Sequence, residues 1–301
     1  MKYLSPNESD FLDIPYSLKK NKKIKHMKTI LFPTDFSEAS NKALDVVKYF
    51  AQKTKATIHL FHTYNIPATM YAHVETIIPP NLIDDIRISA ENQTAALVTK
   101  LEDEGYSVTS SVEMGTVTDE IISFAKEHPC DLLIMGTTGD DNLVNKLIGS
   151  NASAVLVRVN IPVLLVPKDC FFDGINSIVY LDELKEDDTS VLHKLFQLSD
   201  EIGATNVNLL NINTGFFFEP INEGLMMRLT NGFGAEKIKL DTVDGADVKE
   251  GIDHYLEEKQ VDLVVMSTQK KTILERLFVK SDTQIMAMHS KVPLLVYHKD
   301  E

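Results

Sequence analysis

Residues Asp131–Ala152 read DLLIMGTTGDDNLVNKLIGSNA. The stretch opens with a short unbroken apolar run, Leu132-Leu133-Ile134-Met135, the pattern of a strand covered on both faces. Gly136-Thr-Thr-Gly139 follows as a turn, and nine residues later comes Gly149-Ser150. Ala152, Val155, Leu156 and Val159 then recur at helical spacing, which makes Ser150 an expected N-cap. Strand, glycine turn and helix start together can hold an anion. Glycines let backbone N–H groups approach a phosphate without an intervening Cβ, and a helix start adds unpaired donors and the positive end of a dipole. A plain glycine-rich βα turn would give a short Gly-x-x-Gly as well.

Working outward, strands and helices alternate. Lys28–Phe32 reads as a strand ending at Pro33-Thr34-Asp35-Phe36-Ser37. Ser37 is placed to cap a helix whose buried face is Ala39, Ala43, Val46, Val47 and Phe50. Thr57–His62 is a second strand, and a helix carries Ile83, Ile86, Ala90, Leu97 and Leu101 on one face up to Gly105. A weaker strand (Tyr106–Val112), a helix (Val117–Glu127), the Asp131 stretch and a last strand (Val163–Val166) complete the unit. Such alternation predicts a parallel sheet with helices on both faces.

The pattern then restarts: strands at Ser177–Leu181, Val207–Ile212, Lys237–Val243, Val261–Met266 and Val292–Tyr297, with helices at Ser190–Ile202, 221–231 and Val248–Glu258. An offset of 131 residues lays Asp131–Lys168 on Asp262–Lys299 without a gap, matching Asp131/Asp262, Met135/Met266, Thr137/Thr268, Leu143/Leu274, Ser150/Ser281, Pro162/Pro293 and Lys168/Lys299. This is an internal duplication. The predicted organisation is an arm (1–26), a first domain (27–168) and a second (175–301). The arm is Lys-rich, without periodicity or an apolar core that would make it a secretory signal; a basic tether and a mis-assigned start are its other readings.

In open parallel sheets ligands sit beyond the carboxyl ends of strands, where strand order reverses. If the first and fourth strands are neighbours, Asp35 faces the glycine loop. A carboxylate is an acceptor, suited to ribose hydroxyls rather than phosphate; a helix-start acid favoured by the dipole is the simpler alternative.

Two sets of residues, Gly136-x2-Gly139-x9-Gly149-Ser150 and Pro33-Thr-Asp-Phe-Ser37, resemble the ATP-binding branch of the universal stress protein family over nearly everything after residue 27. The resemblance implies two tandem open parallel-sheet domains, Rossmann-like and similar to adenine-nucleotide α-hydrolases. It places Asp35 at the ribose, Pro33 and Thr63 beside the adenine, and Met135 closing the purine pocket. Gly136, Gly139, Gly149, Ser150, Asn151 and Ala152 would hold the phosphates. Family members pair through their last strands, so the repeats are expected to form an intrachain pseudo-dimer, with a homodimer also open. In the second repeat Ser267, Lys270 and Lys280 stand where the glycines are, and Asp182 or Glu183 is the counterpart of Asp35. Losing about 4 kcal/mol would turn a micromolar site millimolar, so that repeat is expected to be degenerate, with Lys270 and Lys280 read as solvated surface lysines and capture of some other anion as the alternative.

Composition narrows the rest. Hydrophobic residues make up 44% and charged residues 25% of the 301 residues, ordinary for a globular chain. A net charge of −14 argues against nucleic acid as a partner. No apolar run reaches a membrane span, and Cys130 and Cys170 lack disulfide-framework or metal spacing, so a reducing cytoplasm is the expected home. His59 and His62, three apart on a strand, fall on opposite faces and suit no metal; packing or exposure is their expected role. Asp140-Asp141 could reach a bound Mg²⁺ through water. Phe216-Phe217-Phe218 and the Met226-Met227 pair read as covering or interface residues. The expected function is a nucleotide-responsive stress protein binding ATP in its first domain. A weak ATPase or nucleotide-transfer enzyme, which here would lack a Walker lysine, and a scaffold that binds no nucleotide are the alternatives.

Overall fold

The structure, a computed structural model, describes residues 26–66, 81–137, 150–181, 189–215, 237–268 and 292–298. The predicted helix at 221–231 and the residues before His26 lie outside these. Ten strands and six helices appear among the described residues. The first half is β1 (Thr29–Pro33), α1 (Glu38–Thr54), β2 (Thr57–Tyr64), α2 (Leu82–Asp103), β3 (Val108–Met114), α3 (Val117–Glu127), β4 (Leu132–Thr137), α4 (Ser150–Arg158) and β5 (Val163–Pro167). The second is β6 (Ser177–Leu181), α5 (Thr189–Ile202), β7 (Asn206–Asn213), β8 (Ile238–Asp244), α6 (Val248–Glu258), β9 (Leu263–Thr268) and β10 (Leu294–His298).

All ten strands form one sheet in the order β3-β2-β1-β4-β5-β10-β9-β6-β7-β8. Each half is parallel, and the halves meet where β5 and β10 pair antiparallel: Val163↔Val296, Leu164↔Leu295, Leu165↔Leu294. Under the 131-residue offset these pairs map onto one another, with Leu164 and its copy Leu295 at the centre. The two repeats are therefore joined as an intrachain pseudo-dimer about a local two-fold axis.

Burial follows the duplication. β1 and β6 share one pattern of buried residues, as do β2 and β7, and β5 and β10. One core lies under α1, α2 and α5, with Phe32, Phe50, Leu101 and Phe196; the other lies under α3, α4 and α6, with Phe61, Ile121, Leu156 and Tyr255. Ser37 caps α1 through its hydroxyl, which accepts from the Ser40 N–H at 3.3 Å. On α2, Ala90, Thr94 and Leu101 are buried, whereas Ile83 is 38% exposed. The strand expected at Tyr106–Val112 runs two residues later, set by pairing from Ile58↔Val108 to Tyr64↔Met114. On an edge strand, pairing rather than its own weak alternation fixes the register.

Conserved geometry shows most clearly at the two matched aspartates. One carboxylate oxygen of Asp131 accepts from the Lys28 and Thr29 N–H groups at 2.8 and 3.1 Å. Asp262 does the same for Asn176 and Ser177, both at 2.9 Å. Each carboxylate ties the start of a repeat's first strand to its fourth. Replacing either by alanine is expected to cost about 2 kcal/mol in urea unfolding, with equal loss for the two; loss in only one would mean the copies no longer do the same job.

A third tie crosses the seam. The Leu156 carbonyl lies in the last turn of α4, where intrahelical donors run out. It accepts from Nε2 of His298, on the other repeat, at 2.9 Å. The remaining ring nitrogen, Nδ1, is buried with no hydrogen-bond partner among the described residues, and burial lowers the pKa of this imidazole.

Candidate functional site

The chain leaves β1 through α1 to β2 and β3 on one side, then returns through α3 to β4 on the other. The strand order reverses between β1 and β4, so a crevice belongs at their carboxyl ends. Here the ladder itself parts. β1 pairs with β2 as far as Pro33↔Phe61, but with β4 only at Ile30↔Leu132 and Leu31↔Leu133. The cause is Pro33. The Thr29 carbonyl accepts from Asp131 N–H, whereas Lys28 and Thr34 bond to β2, so alternation aims the Pro33 nitrogen at β4. Proline has no N–H to donate. In the second repeat Leu181 fills this position and β6–β9 pairing continues through Tyr180↔Val265 to Leu181↔Met266.

After Pro33 the chain enters a turn locked by its own hydroxyls. Thr34, 7% exposed, accepts the Phe36 N–H on Oγ1 at 3.0 Å and donates to the Ser40 hydroxyl at 3.2 Å. Ser40 in turn donates to the Ser37 carbonyl at 3.0 Å. The Asp35 side chain is exposed and accepts the Ser37 N–H at 3.0 Å. Partial desolvation raises its pKa, but the polar groups of Ser37 and Ser40 around the carboxylate outweigh that and leave it below the usual aspartate value. The carboxylate is thus kept ionised, an acceptor presented at the crevice. Phe36 sits at φ 60°, in the left-handed region, which costs a bulky residue roughly 1–2 kcal/mol. Its ring packs on His62, centroids 4.7 Å apart.

Thr63 is half-buried at the end of β2. Met135 is 6% exposed at the end of β4 and shares a core with Ala152 of α4, which brings the start of that helix beneath the crevice. Ala152 is itself 3% exposed, so its side chain belongs to the core and only its N–H is available for a ligand. The exposed Asn151 accepts the Thr118 hydroxyl on Oδ1 at 3.3 Å, tying α4 to α3. Gly136 has a second reason to be glycine: a Cβ there would lie 2.4 Å from the Ala39 carbonyl oxygen of α1. Gly139, Gly149, the Ser150 side chain, Asp140-Asp141, Lys270 and Lys280 lie outside the described residues, as do Asp182, Glu183 and residues 216–236. The structure thus gathers Pro33, Asp35, Thr63, Met135 and Gly136 at the carboxyl ends of three adjacent strands.

Among the described residues no group of three or more His, Cys, Asp or Glu could hold a metal ion, and no helix is long and apolar enough to cross a membrane. Cys130 and Cys170 are buried free thiols, each pushed up to about 11 chiefly by burial. The two strand histidines do face opposite ways. His59 stacks on Phe124 at 4.4 Å and meets the Thr109 and Ser111 hydroxyls, a packing role. His62 turns out to touch the site: its Nδ1 lies 2.7 Å from the Thr34 carbonyl. Sequence reasoning missed His62 and the left-handed Phe36, because both depend on which strand lies beside the turn.

Comparison with known proteins agrees with this architecture. The description "Universal stress protein family" matches residues 26–167 and 223–298. The chain is 29% identical over 154 residues to universal stress protein MJ0577 of Methanocaldococcus jannaschii, covering 47% of this chain and 95% of that one. It is also 29% identical over 141 residues to universal stress protein G of Escherichia coli O157:H7, covering 46% and 98%. A crystal structure of a universal stress protein from Archaeoglobus fulgidus superposes with a TM-score of 0.69 at 17% identity, over 93% of this chain and 99% of that one, a likeness of fold. The relatives matched by sequence are the length of one repeat, whereas the Archaeoglobus structure matches both. With two regions in register with the family and the sheet built twice over, the chain belongs to the universal stress protein family.

Proposed function

We propose that the first repeat binds ATP in the crevice between β1 and β4, that the second does not, and that the protein is a cytoplasmic, nucleotide-responsive stress protein. One observation carries this reading: the β1–β4 ladder ends at Leu31↔Leu133 beside a preset, ionised Asp35, whereas β6–β9 stays paired to Leu181↔Met266. An opened ladder leaves room for a base between strands. An exposed acceptor beside it suits the hydroxyls of a ribose. The helix that starts at Ser150 offers N–H donors on the phosphate side, and the sequence keeps all three glycines that would let backbone approach phosphate. Residues 27–168 would form the nucleotide-binding domain and 175–301 its degenerate copy. Buried free thiols suit a reducing compartment. Any Mg²⁺ would arrive with the nucleotide. ATP would act by binding two states of the protein unequally.

Calorimetric titration of ATP-Mg²⁺ tests this, beside Gly149→Lys, which copies the residue of the second repeat. The expected result is one site per chain, lost in the variant. Two sites per chain would mean that the second crevice is open, and no binding at millimolar ATP would leave a scaffold.

A further inference from the structure

The β1–β2 ladder ends at Pro33↔Phe61. Its alternation has Thr57 N–H donating to Lys28 O at one end and Thr34 N–H donating to Phe61 O, at 2.9 Å, at the other. In a parallel ladder the next bond would run from Thr63 N–H to the Thr34 carbonyl. That bond is not made. The Thr34 carbonyl instead faces Nδ1 of His62 at 2.7 Å. A carbonyl only accepts, so Nδ1 carries the proton and donates. The Thr63 N–H, aimed at the β1 side by the same alternation, is left without a partner among the described residues, at the mouth of the crevice that Pro33 opens.

His62 also touches the turn a second time. Its ring lies against Phe36, 4.7 Å between centroids and tilted by 47°. Phe36 is held at φ 60° with its N–H on the Thr34 hydroxyl. Side-chain donation to Thr34 and ring packing on Phe36 thus bracket Asp35 from both sides.

We propose that His62 is a positioning residue of this site: by taking the Thr34 carbonyl it ends the β1–β2 ladder one step early. That frees the Thr63 N–H for an acceptor on a planar ring seated in the crevice, and it fixes Asp35 beside it. The proposal rests on the nucleotide reading above and adds to it the group that makes a main-chain donor available. A strand that stayed zipped through Thr63 would present no donor there. The second repeat has Asn211 at the equivalent strand position.

Amide exchange of Thr63, followed by NMR, tests this directly with the full chain. In the wild type the Thr63 amide is expected to exchange quickly without nucleotide and to slow by tenfold or more with ATP-Mg²⁺. In His62→Leu the ladder is expected to close over Thr34, so that the amide is slow before any ATP is added. The same variant should bind ATP about tenfold more weakly, the loss of one main-chain hydrogen bond plus part of the Asp35 placement. His62→Asn, which keeps a donor near the Nδ1 position, is expected to restore both fast exchange and ATP affinity to within about threefold of wild type. A slow Thr63 amide in the nucleotide-free wild type overturns the assignment without any variant. So does a His62→Leu protein with wild-type exchange and affinity. Wild-type protein that fails to bind ATP at all overturns the nucleotide reading instead, and the Thr63 exchange rates then still decide whether His62 ends the ladder.

Discussion

Gly136→Val is expected to destabilise the protein by about 3 kcal/mol and to abolish ATP binding with it. The Cβ of any larger residue at 136 would stand 2.4 Å from the Ala39 carbonyl oxygen, 2.6 Å from its carbon and 3.0 Å from the Ser40 nitrogen. These are backbone atoms of the first turn of α1, so no side chain can rotate away. The helix must shift or β4 must bend. A shift of that turn displaces Ser40, whose hydroxyl accepts from Thr34, and Ser37, whose N–H donates to Asp35. Packing strain and site damage therefore arrive together. Urea unfolding measures the first and calorimetry the second. The second repeat provides the control: Ser267 already carries a Cβ at the matching position and is 7% exposed, so Ser267→Gly is expected to change stability by less than about 1 kcal/mol. Wild-type stability in Gly136→Val would show that the glycine answers to the ligand alone.

Leu164→Asp is expected to have the largest effect on the fold, about 4–5 kcal/mol or outright failure to fold. Leu164 and its pair Leu295 are both 0% exposed at the centre of the β5–β10 seam. A carboxylate there would sit in an apolar core that includes Ile134, Val166, Leu295 and Tyr297. It must either remain charged in apolar surroundings or take up a proton, and both are costly. Stability should recover partly as pH falls, because protonation relieves the folded state whose carboxyl pKa is raised above its unfolded value. Leu164→Met, which conserves volume, should stay within about 1.5 kcal/mol of wild type. A single cooperative transition in Leu164→Asp at wild-type urea concentration would mean the seam contributes little.

Strand and helix order was legible because apolar runs such as Leu132–Met135 and Val163–Val166 are short, continuous and bounded by glycine or proline. α3 and α6 run between the predicted residues, since Thr116 and Asp247 precede clear 3.6-residue patterns. The duplication was legible from Asp131/Asp262, although the reason for keeping that acid, two backbone N–H groups to hold, needed the partner strand. Pro33 was picked out for its place beside a base. Its physical contribution, an absent donor facing β4, becomes visible only when the strand order is known. His62 was read as packing or exposed because nothing in its own neighbourhood says that Thr34 will lie across from it. Ile83 was grouped with the apolar face of α2 by spacing alone, and spacing does not tell which turns of a helix are covered.

The antiparallel seam has a further consequence. In a pair of separate chains, the edge of β5 would be an exchangeable docking strand, filled or vacant according to dilution. Here β10 is tethered to it by the same polypeptide, so its local concentration is independent of how much protein the cell makes. That relieves the two halves of any need to remain identical. One can drift, zip its crevice shut and lose its glycines while still completing the other's sheet. Among the described residues β3 and β8, at opposite ends of the sheet, are its outer edges. Both of these edges lie far from the seam, each within one half.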